Sequence, residues 1–365
     1  MVVPTILIPG IKGTTLVNTN TLDFDTIWSG IQSKFESIYD LELKKDVRFE
    51  VEPGAIIERS DVEDLAYREA VIIINRKTES PIYIFGYDWR KSCADNGRRL
   101  RDYVNYLREK IETDKFNFLT HSMGGMVFSC YLKELAGNYD IIDHAILTAC
   151  PFEGSINALI SLIVGEGGFK FPLFNSNDEF RKIARTFPSV YELLPVYHGA
   201  ITFSSGEQFD LYNPNHWQSN ISSNPIFLDR LSQLKNFRQT NPAMVKLNQL
   251  PAEAKGKFLV IIGDGEGTKN KIIIQPQDPR DRVKNLFDFD QPETPNGDGT
   301  VPFESSTIYK DDILTIAIKS KWYDKATHGF FLNDGRVQTI INRFLKDDTG
   351  YREWWSDIGD SVRKV

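Results

Sequence analysis

Residues 116–125 read Phe-Asn-Phe-Leu-Thr-His-Ser-Met-Gly-Gly, and this stretch decides the interpretation of the chain. It begins as an apolar run typical of a buried strand, and apolar residues at helical spacing follow from Met126. A serine on a sharp turn between strand and helix is the arrangement of a nucleophile elbow. Glycine behind the serine lets strand and helix approach closely, and the first helical amides can bind a developing oxyanion. We therefore interpret Ser122 as a catalytic nucleophile.

The elbow pattern usually has glycine two residues before the serine, and Thr120 stands there instead. Threonine is larger but fits the end of a strand. The substitution weakens the motif without contradicting its chemistry, and the alternative at this point is an ordinary Ser-x-Gly turn.

The bulk composition narrows the function classes. The chain has 365 residues, 41% of them hydrophobic and 25% charged, with a formal net charge of −7. This balance is ordinary for a globular protein and argues against nucleic-acid binding. The three cysteines (Cys93, Cys130 and Cys150) have no metal or redox spacing and fit a reducing compartment. We predict no metal and no cofactor, and the oligomeric state is not readable.

The N-terminal residues Met1–Ile8 lack a basic start and a cleavage site, so we interpret them as the first core strand and not as a signal peptide. No uncharged apolar run approaches the roughly 18 residues that a transmembrane helix needs. From these observations we predict a cytoplasmic protein.

Short apolar runs alternate with helical patterns along much of the chain. One helix is predicted after Asp95, where Leu100, Val104 and Ile111 lie on one face, and another runs from Val337 to Phe344. Such alternation predicts an α/β fold with a mostly parallel central sheet and helices on both faces. The predicted strands are Thr5–Ile8, Arg48–Val51, Ile82–Phe85, Phe116–Leu119, Ala145–Ala149, Phe258–Ile262 and Ile313–Ile318.

Residues 153–249 break this rhythm and are rich in Phe, Asn, Ser and Pro. We predict that they form a cap inserted over the strand ends, so that residues 1–152 and 250–365 make up the core. A second irregular excursion runs from Lys269 to Asn296. Aromatic residues of the cap are candidates for an acyl pocket or for contact with a lipid surface, although such residues more often simply pack the core of a cap: Phe169, Phe171, Phe174, Phe203, Phe209, Tyr212 and Trp217.

A serine hydroxyl needs a base to remove its proton. Of the five histidines, His328 is the best candidate because it follows the last predicted strand and precedes the last helix. His121 adjoins the serine but should point elsewhere on a sharp turn. The alternative for His328 is a histidine on a surface loop.

Two aspartates are candidates for the acid that orients the histidine. Asp298 lies in the tight loop Gly297-Asp298-Gly299-Thr300-Val301-Pro302, and Asp264 directly follows the predicted strand Phe258–Ile262. With either acid the chain order is Ser, Asp, His, which is the order of the α/β-hydrolases.

The oxyanion requires two preorganised donors. The Met123 amide, following the nucleophile, is one candidate, and the Ile11 amide in Pro9-Gly10-Ile11-Lys12-Gly13 is the other. The same loop superficially resembles a phosphate-binding loop, but the glycine spacing before a Gly-Lys-Thr is absent, so we reject that reading.

Taken together, motifs spread over nearly the whole chain resemble the lecithin:cholesterol acyltransferase family of α/β-hydrolases, in its bacterial or intracellular form. The segments that carry this resemblance are 6–13 with Trp28, Tyr87-Asp88-Trp89-Arg90, His121–Gly125, Pro151–Ser155, Phe187–Pro195, Gly297–Pro302 and His328. The resemblance favours Asp298 over Asp264 as the acid and supports Ile11 and Met123 as oxyanion donors. It implies hydrolysis of acyl esters, notably phospholipids, or transfer of the acyl group to another alcohol.

For this chain we predict neither the signal peptide nor the disulfides of the secreted animal members, and their membrane-binding element is not recognisable, so sterol transfer is not implied. We expect a serine esterase or lipase with an acyl ester or lipid substrate. An acyltransferase would share the first half of the reaction, and its acceptor would be selected by the cap. A non-catalytic binding module on a hydrolase scaffold is the remaining alternative.

Overall fold

The computed structural model describes residues 2–18, 26–28, 41–43, 57–165, 177–277, 284–320, 327–350 and 353–365. Its strands are β1 (Thr5–Ile8), β2 (Thr14–Asn18), β3 (Thr26–Trp28), β4 (Ile57–Val62), β5 (Ile82–Ile84), β6 (Phe116–His121), β7 (Ile142–Thr148), β8 (Ile201–Phe203), β9 (Phe258–Asp264), β10 (Ile272–Gln277), β11 (Lys284–Asp288), β12 (Leu314–Lys319) and β13 (Val362–Lys364).

The α-helices are α1 (Asp64–Thr78), α2 (Cys93–Ile111), α3 (Met123–Glu134), α4 (Ile156–Ile163), α5 (Asn177–Ala184), α6 (Pro188–Glu192), α7 (Ser219–Ser222), α8 (Pro225–Lys235), α9 (Ala252–Lys255), α10 (Phe303–Ser306) and α11 (Gly335–Leu345). Short 3-10 helices lie at Pro214–His216, Leu247–Gln249, His328–Asn333 and Ser356–Ile358, and a π-helical turn lies at Asn236–Thr240.

Seven strands form the central sheet in the order β13-β12-β9-β7-β6-β1-β5. Every neighbouring pair is parallel except β12 with β13, which is antiparallel. Strand β6, which leads to Ser122, is therefore central, between β1 and β7. In a parallel sheet of this kind, the carboxyl ends of neighbouring strands meet at one edge, where ligands bind.

Successive residues of the central strands face opposite sides of the sheet, as a period of two requires. In β9, Phe258, Val260 and Ile262 belong to one hydrophobic core, while Leu259 and Ile261 belong to another. Helices α2 and α3 pack against each other in the first core, and α1 and α11 pack together in the second. Helices thus cover both faces, which confirms the predicted α/β-hydrolase fold class.

The predicted elements agree with the structure apart from their ends. The strands predicted at 82–85, 145–149 and 313–318 shift by one to three residues, and the one at 116–119 continues to His121. Both predicted helices are present as α2 and α11. The strand predicted at Arg48–Val51 lies outside the described residues.

Aromatic side chains of the predicted cap pack mainly against one another. Phe209 contacts Phe203, Trp217 and Phe287, with ring centroids 5.9, 5.3 and 5.7 Å away. Trp217 is 2% exposed and also packs on Phe227. These rings pack together as a small aromatic core. None of them lines the cavity next to Ser122. Phe169, Phe171 and Phe174 lie outside the described residues.

The two irregular segments of the sequence share a small sheet. Strand β8, at residues 201–203, pairs in parallel with β10 at residues 272–274, and β11 pairs antiparallel with β10. The excursion that interrupts the core after β9 is thereby joined to the segment at 153–249. The division into a core and a cap at residues 152 and 250 stays a prediction.

Over the described ranges, no helix is long and apolar enough to cross a membrane. The same ranges contain no group of three or more His, Cys, Asp or Glu side chains arranged to hold a metal ion.

Candidate active site

Ser122 lies at the junction of β6 and α3 with φ 54° and ψ −128°. A non-glycine residue with positive φ is strained, typically by about 1–3 kcal/mol, and persists only where its surroundings enforce it. Here the Ser122 amide donates to the Thr148 carbonyl of β7 (2.9 Å), and the Gly125 amide donates to the Ser122 carbonyl (3.0 Å). Hydrogen bonds on both sides of the serine therefore hold the turn in its strained conformation.

Close contacts explain the two glycines that follow the serine. A Cβ atom on Gly124 would lie 2.3 Å from the Ile8 carbonyl oxygen, and one on Gly125 would lie 2.5 Å from Cys150 Sγ. Glycine is required at both positions because helix α3 starts directly against the end of β1 and against Cys150, which follows β7. Thr120, at the position of the missing first glycine, is fully buried, and its hydroxyl has no hydrogen-bond partner among the described residues.

His328 lies at the start of a 3-10 helix, and its imidazole joins Ser122 to Asp298. Nε2 is 2.8 Å from Ser122 Oγ, and Nδ1 is 2.8 Å from Asp298 Oδ2. A carboxylate can only accept, so Nδ1 carries the proton and Nε2 accepts the serine hydroxyl proton. The structure thus brings the three predicted residues into one hydrogen-bonded line, although they come from three distant parts of the chain.

Asp298 is 2% exposed, and the loop around it fixes its carboxylate. Oδ1 accepts the amides of Thr300 (3.0 Å) and Val301 (2.7 Å), which leaves Oδ2 for His328. The backbone also contributes, since the His328 amide donates to the Asp298 carbonyl at 3.0 Å. The two hydrogen bonds from the Thr300 and Val301 amides fix the rotation of the carboxylate. Oδ2 is therefore a rigid acceptor that aligns the His328 ring.

Asp264, the other candidate acid, ends strand β9 but points away from the histidine. Its Oδ2 accepts from the Arg363 guanidinium at 2.9 Å. The loop carrying Asp298 returns to the same strand end, because a Cβ atom on Gly263 would lie 2.5 Å from Asp298 Cβ. The acid therefore occupies the position after β9 in space, although 33 residues separate Asp264 from Asp298 in sequence.

The loop after β1 lies directly against Ser122. A Cβ atom on Gly10 would lie 2.8 Å from Ser122 Cβ and 3.3 Å from its Oγ. Most polar backbone groups of this loop are engaged: Tyr87 Oη donates to Pro9 O (2.7 Å), Gly13 N to Gly10 O (3.1 Å) and Trp28 Nε1 to Lys12 O (3.0 Å). The Ile11 amide has no hydrogen-bond partner among the described residues.

The Met123 amide is the first of helix α3, where backbone N–H groups have no partner within the helix. The two amides predicted as oxyanion donors thus lie on segments that flank the serine, one before β2 and one at the start of α3.

The motif Tyr87-Asp88-Trp89-Arg90 supports this loop and does not contact the serine. Trp89 Nε1 donates to the Thr14 carbonyl at 3.0 Å, and Asp88 forms a buried ion pair with Arg90, 2.8 Å between Oδ2 and Nη2. Burial alone would raise the pKa of Asp88, but the Arg90 guanidinium outweighs it and holds that pKa below its ordinary value. The motif therefore stabilises the backbone of the loop after β1 through the bonds of Tyr87 and Trp89.

His121 and Tyr67 form a chain of hydrogen bonds, called the relay here, that sequence reasoning missed. The Gly10 amide donates to Tyr67 Oη (2.9 Å), and Tyr67 Oη lies 2.8 Å from His121 Nδ1. His121 Nε2 lies 2.9 Å from the His328 carbonyl oxygen. A carbonyl only accepts, so Nε2 carries the proton, Nδ1 accepts from the tyrosine, and the tyrosine oxygen accepts from Gly10. The relay connects the loop that carries Ile11 to the loop that carries the base.

Burial keeps the relay in this protonation state. It lowers the pKa of His121 to about 3, with the neighbouring His328 as a smaller cause, and it raises the pKa of Tyr67. A neutral imidazole and a neutral phenol are the forms that the hydrogen-bond directions require. The signal in the sequence was the histidine beside the serine, whose partner could not be named because Tyr67 is 54 residues away.

Tyr67→Phe should lower kcat by about 10- to 100-fold with little change in KM, and should reduce stability by about 1–3 kcal/mol, because it leaves the Gly10 amide and His121 Nδ1 unpaired. Steady-state kinetics on an acyl ester, together with chemical denaturation, measure both effects.

Tyr103→Phe is the matched control, since Tyr103 Oη donates only to the Ile84 carbonyl at 3.2 Å on the edge strand. It should retain wild-type kcat. A Tyr67→Phe protein that is destabilised but has wild-type kcat would reduce the relay to a purely structural role.

A cavity of about 400 Å³ opens above Ser122 and His328. Its walls are mainly apolar, and six of its lining residues are Trp, Tyr or Phe: Trp28, Tyr67, Trp89, Phe180, Phe187 and Phe330. The cavity is large enough for part of an acyl chain or an alcohol group, and Ser122 and His328 lie in its wall.

The remaining histidines do not line the cavity. His144 contacts Asp347 (3.0 Å) behind the sheet, and His216 accepts the Asp210 amide (2.9 Å). His198 is exposed and does not line the cavity.

The family motif at Phe187–Pro195 also has a structural reason. Buried Glu192 accepts from Ser92 Oγ (2.5 Å) and the Cys93 amide (2.7 Å), which fixes the N-terminus of α2. Burial raises the pKa of Glu192 to about 7.

Comparison with known families agrees with the motifs. The model of the family described as lecithin:cholesterol acyltransferase matches residues 76–226, a range that includes Tyr87–Arg90, the elbow and Phe187–Pro195. The predicted resemblance is thereby confirmed over this part of the chain, and it supports lipid ester hydrolysis or acyl transfer as the general class of chemistry. No curated protein sequence matches the chain significantly.

Solved structures show the fold. A chain of the Tle4–Tli4 complex is 16% identical with a TM-score of 0.63, covering 96% of this chain and 99% of that one. Phospholipase PlaB from Legionella pneumophila is 11% identical (TM-score 0.43, covering 98% and 62%), and the mature lipase BlEst2 from Bacillus licheniformis is 12% identical (TM-score 0.34, covering 72% and 66%). The similarity to the chain of the Tle4–Tli4 complex concerns the fold alone.

Proposed function

We propose that this protein hydrolyses carboxylic acyl esters, with lipid esters as the favoured class, through an acyl-enzyme on Ser122. His328 Nε2 takes the serine proton as Oγ attacks the ester carbonyl carbon and a tetrahedral intermediate forms. The amides of Ile11 and Met123 bind its oxyanion. His328 then gives the proton to the leaving alcohol oxygen, and the acyl group remains on Oγ.

In the second half, water attacks the acyl-enzyme, and His328 again takes and returns the proton, which releases the acid and restores the serine. Asp298 accepts a hydrogen bond from the Nδ1–H group of His328 throughout, and it stabilises the imidazolium without becoming protonated itself. No cofactor is required for either half.

The observation that carries this proposal is the line of hydrogen bonds from Ser122 to His328 to Asp298, with 2.8 Å at each contact, next to an apolar cavity. The strained φ of 54° at Ser122 supports it, because such strain is typical of functional sites. The lipid preference rests on the family match at 76–226.

Acyl transfer is the second candidate, because the matched family is described by that activity. It shares the acyl-enzyme, and an acceptor alcohol replaces water in the second half. We also propose a reducing compartment, since the three cysteines are buried and free.

The test is a series of p-nitrophenyl esters from acetate to palmitate, with product analysis in the presence of an added long-chain alcohol. We expect the largest kcat/KM at medium or long chains, because the cavity walls are apolar. Free acid as the main product identifies a hydrolase, and the ester of the added alcohol identifies a transferase. A maximum at acetate would contradict the lipid preference, and no turnover of any ester would favour the binding-module alternative.

A further inference from the structure

Lys12 lies in the wall of the active-site cavity, on the same loop as the Ile11 amide. It has φ 61°, a left-handed conformation that turns the loop back toward Gly13. A Cβ atom on Gly13 would lie 2.9 Å from both Gly10 O and Tyr67 Oη, so the turn is tightly packed. The tight turn therefore fixes the backbone position of Lys12, one residue from the candidate oxyanion donor Ile11.

The ammonium group of Lys12 lies between aromatic faces. Nζ is 4.9 Å from the ring centroid of Phe180 in helix α5 and 5.6 Å from that of Trp28 in β3. Cation–π contacts of this kind hold a cation in place, but they do not accept its N–H groups in the way an oxygen does. The position of Nζ is thus defined on two sides, while its three N–H donors have no acceptor in the described ranges.

Among the described residues, no carboxylate or other hydrogen-bond acceptor pairs with Lys12 Nζ. Burial lowers the pKa of Lys12 to about 8, and none of the described carboxylates lies close enough to raise it again. The other charged groups of the cavity wall are the acidic residues Glu63, Glu266 and Asp298. Asp298 is bound to His328, and Glu266 accepts from Ser320 Oγ at 2.6 Å.

An unpaired cation in a mainly apolar cavity is costly unless a ligand supplies the missing charge. The chain as a whole carries a net charge of −7, so it does not attract anions in general. Lys12 is therefore not explained as part of a basic surface. The charge is local, because Lys12 and the two rings that hold Nζ, those of Trp28 and Phe180, all line the active-site cavity.

We propose that Lys12 is a specificity residue that binds an anionic group, phosphate or carboxylate, on the ester whose carbonyl lies at Ser122. Because this inference rests on the proposed ester hydrolysis, it deepens that function: the preferred substrates are anionic esters and not neutral ones. The anion would complete the coordination of Nζ that the aromatic rings leave open.

The test compares esters that differ only in the anion. One pair is 1-palmitoylglycerol 3-phosphate against 1-palmitoylglycerol, with the charge on the alcohol side, and the other is mono-p-nitrophenyl adipate against p-nitrophenyl hexanoate, with the charge on the acyl side. The wild type should favour the anionic member of at least one pair by about 10-fold or more in kcat/KM, the scale of a hydrogen bond to a charged group. The pair that responds identifies the side of the ester that carries the anion.

Lys12→Met keeps the length of the side chain and removes its charge, while Lys12→Arg keeps the charge. The anionic-to-neutral ratio of kcat/KM should fall by about 10- to 100-fold in Lys12→Met and be largely restored in Lys12→Arg. Equal losses on both members of each pair would overturn the proposal and make Lys12 a structural contact of α5. A wild type without preference in either pair would overturn it as well.

A binding measurement separates this inference from the proposed catalysis. Calorimetry with the Ser122→Ala protein should show that hexadecyl phosphate binds about 10-fold or more tightly than hexadecanol, and that adding Lys12→Met removes the difference. Inorganic phosphate as a competitor distinguishes a site for the free ion from one for a lipid phosphate. If no ester is turned over but this difference is found, the anion site stands without the hydrolase; if esters are turned over but the difference is absent, only the anion site fails.

Discussion

Ser122→Ala should lower kcat on the best p-nitrophenyl ester by about 10⁴- to 10⁶-fold, the loss seen when the nucleophile of a serine triad is removed. The methyl group cannot attack the carbonyl carbon, and His328 Nε2 loses its 2.8 Å partner. Residual turnover would come from binding and from the Ile11 and Met123 amides alone. Stopped assays at high enzyme concentration, with the wild type as reference, measure the loss.

The matched control is Ser129→Ala. Ser129 is a buried serine of helix α3 whose Oγ donates to the Gly125 carbonyl at 2.8 Å, and it does not line the cavity. It should keep most of the wild-type activity. The melting temperature of Ser122→Ala should match or exceed that of the wild type, since the hydroxyl contributes nothing to the hydrogen bonds that hold the strained turn. Ester turnover that survives Ser122→Ala in full would refute an acyl-enzyme on this residue.

Asp298→Asn should lower kcat by about 10⁴-fold while the protein stays folded. Oδ1 accepts two backbone amides, so the asparagine oxygen must remain on that side and its NH₂ group must face His328 Nδ1. Two donors then oppose each other, and the histidine can relieve this only by moving its proton to Nε2. In that tautomer it cannot accept the proton of Ser122 Oγ.

Asp264→Asn is the control, because both aspartates follow β9 in space and sequence alone left both open as the acid. Asp264 pairs with Arg363, whose side chain is 53% exposed, so breaking that pair should cost no more than about 1 kcal/mol and leave kcat close to the wild-type value. The reverse pattern, with loss in Asp264→Asn and activity in Asp298→Asn, would exchange the two roles.

Local sequence was enough to predict the elements around the site because their patterns are short-range. The period-two alternation of β9, the helical spacing of α2 and the strand–turn–glycine pattern of the elbow each depend on neighbours within about a dozen residues. The boundaries were less accurate: β7 begins at Ile142, three residues before the predicted start, because pairing with β6 decides where a strand begins.

The relay and the cap core could not be predicted in the same way. Tyr67 meets His121 only because α1 packs beside the elbow, and Phe209 meets Phe287 only because β8 pairs with β10. The surroundings of Lys12 are equally out of reach of local sequence patterns, since they come from β3 and α5.

Residue type, order and local spacing limit the fold class, the position of the elbow at Ser122 and the short set of residues able to act with it, so these could be predicted without the structure. The tertiary structure was needed to place Asp298 and not Asp264 against His328, to join Gly10 to His328 through Tyr67 and His121, and to leave Lys12 Nζ without a paired carboxylate among the described residues. The physical reason is that hydrogen bonds and desolvation act over a few ångströms in space, between groups that the chain separates by tens to hundreds of residues.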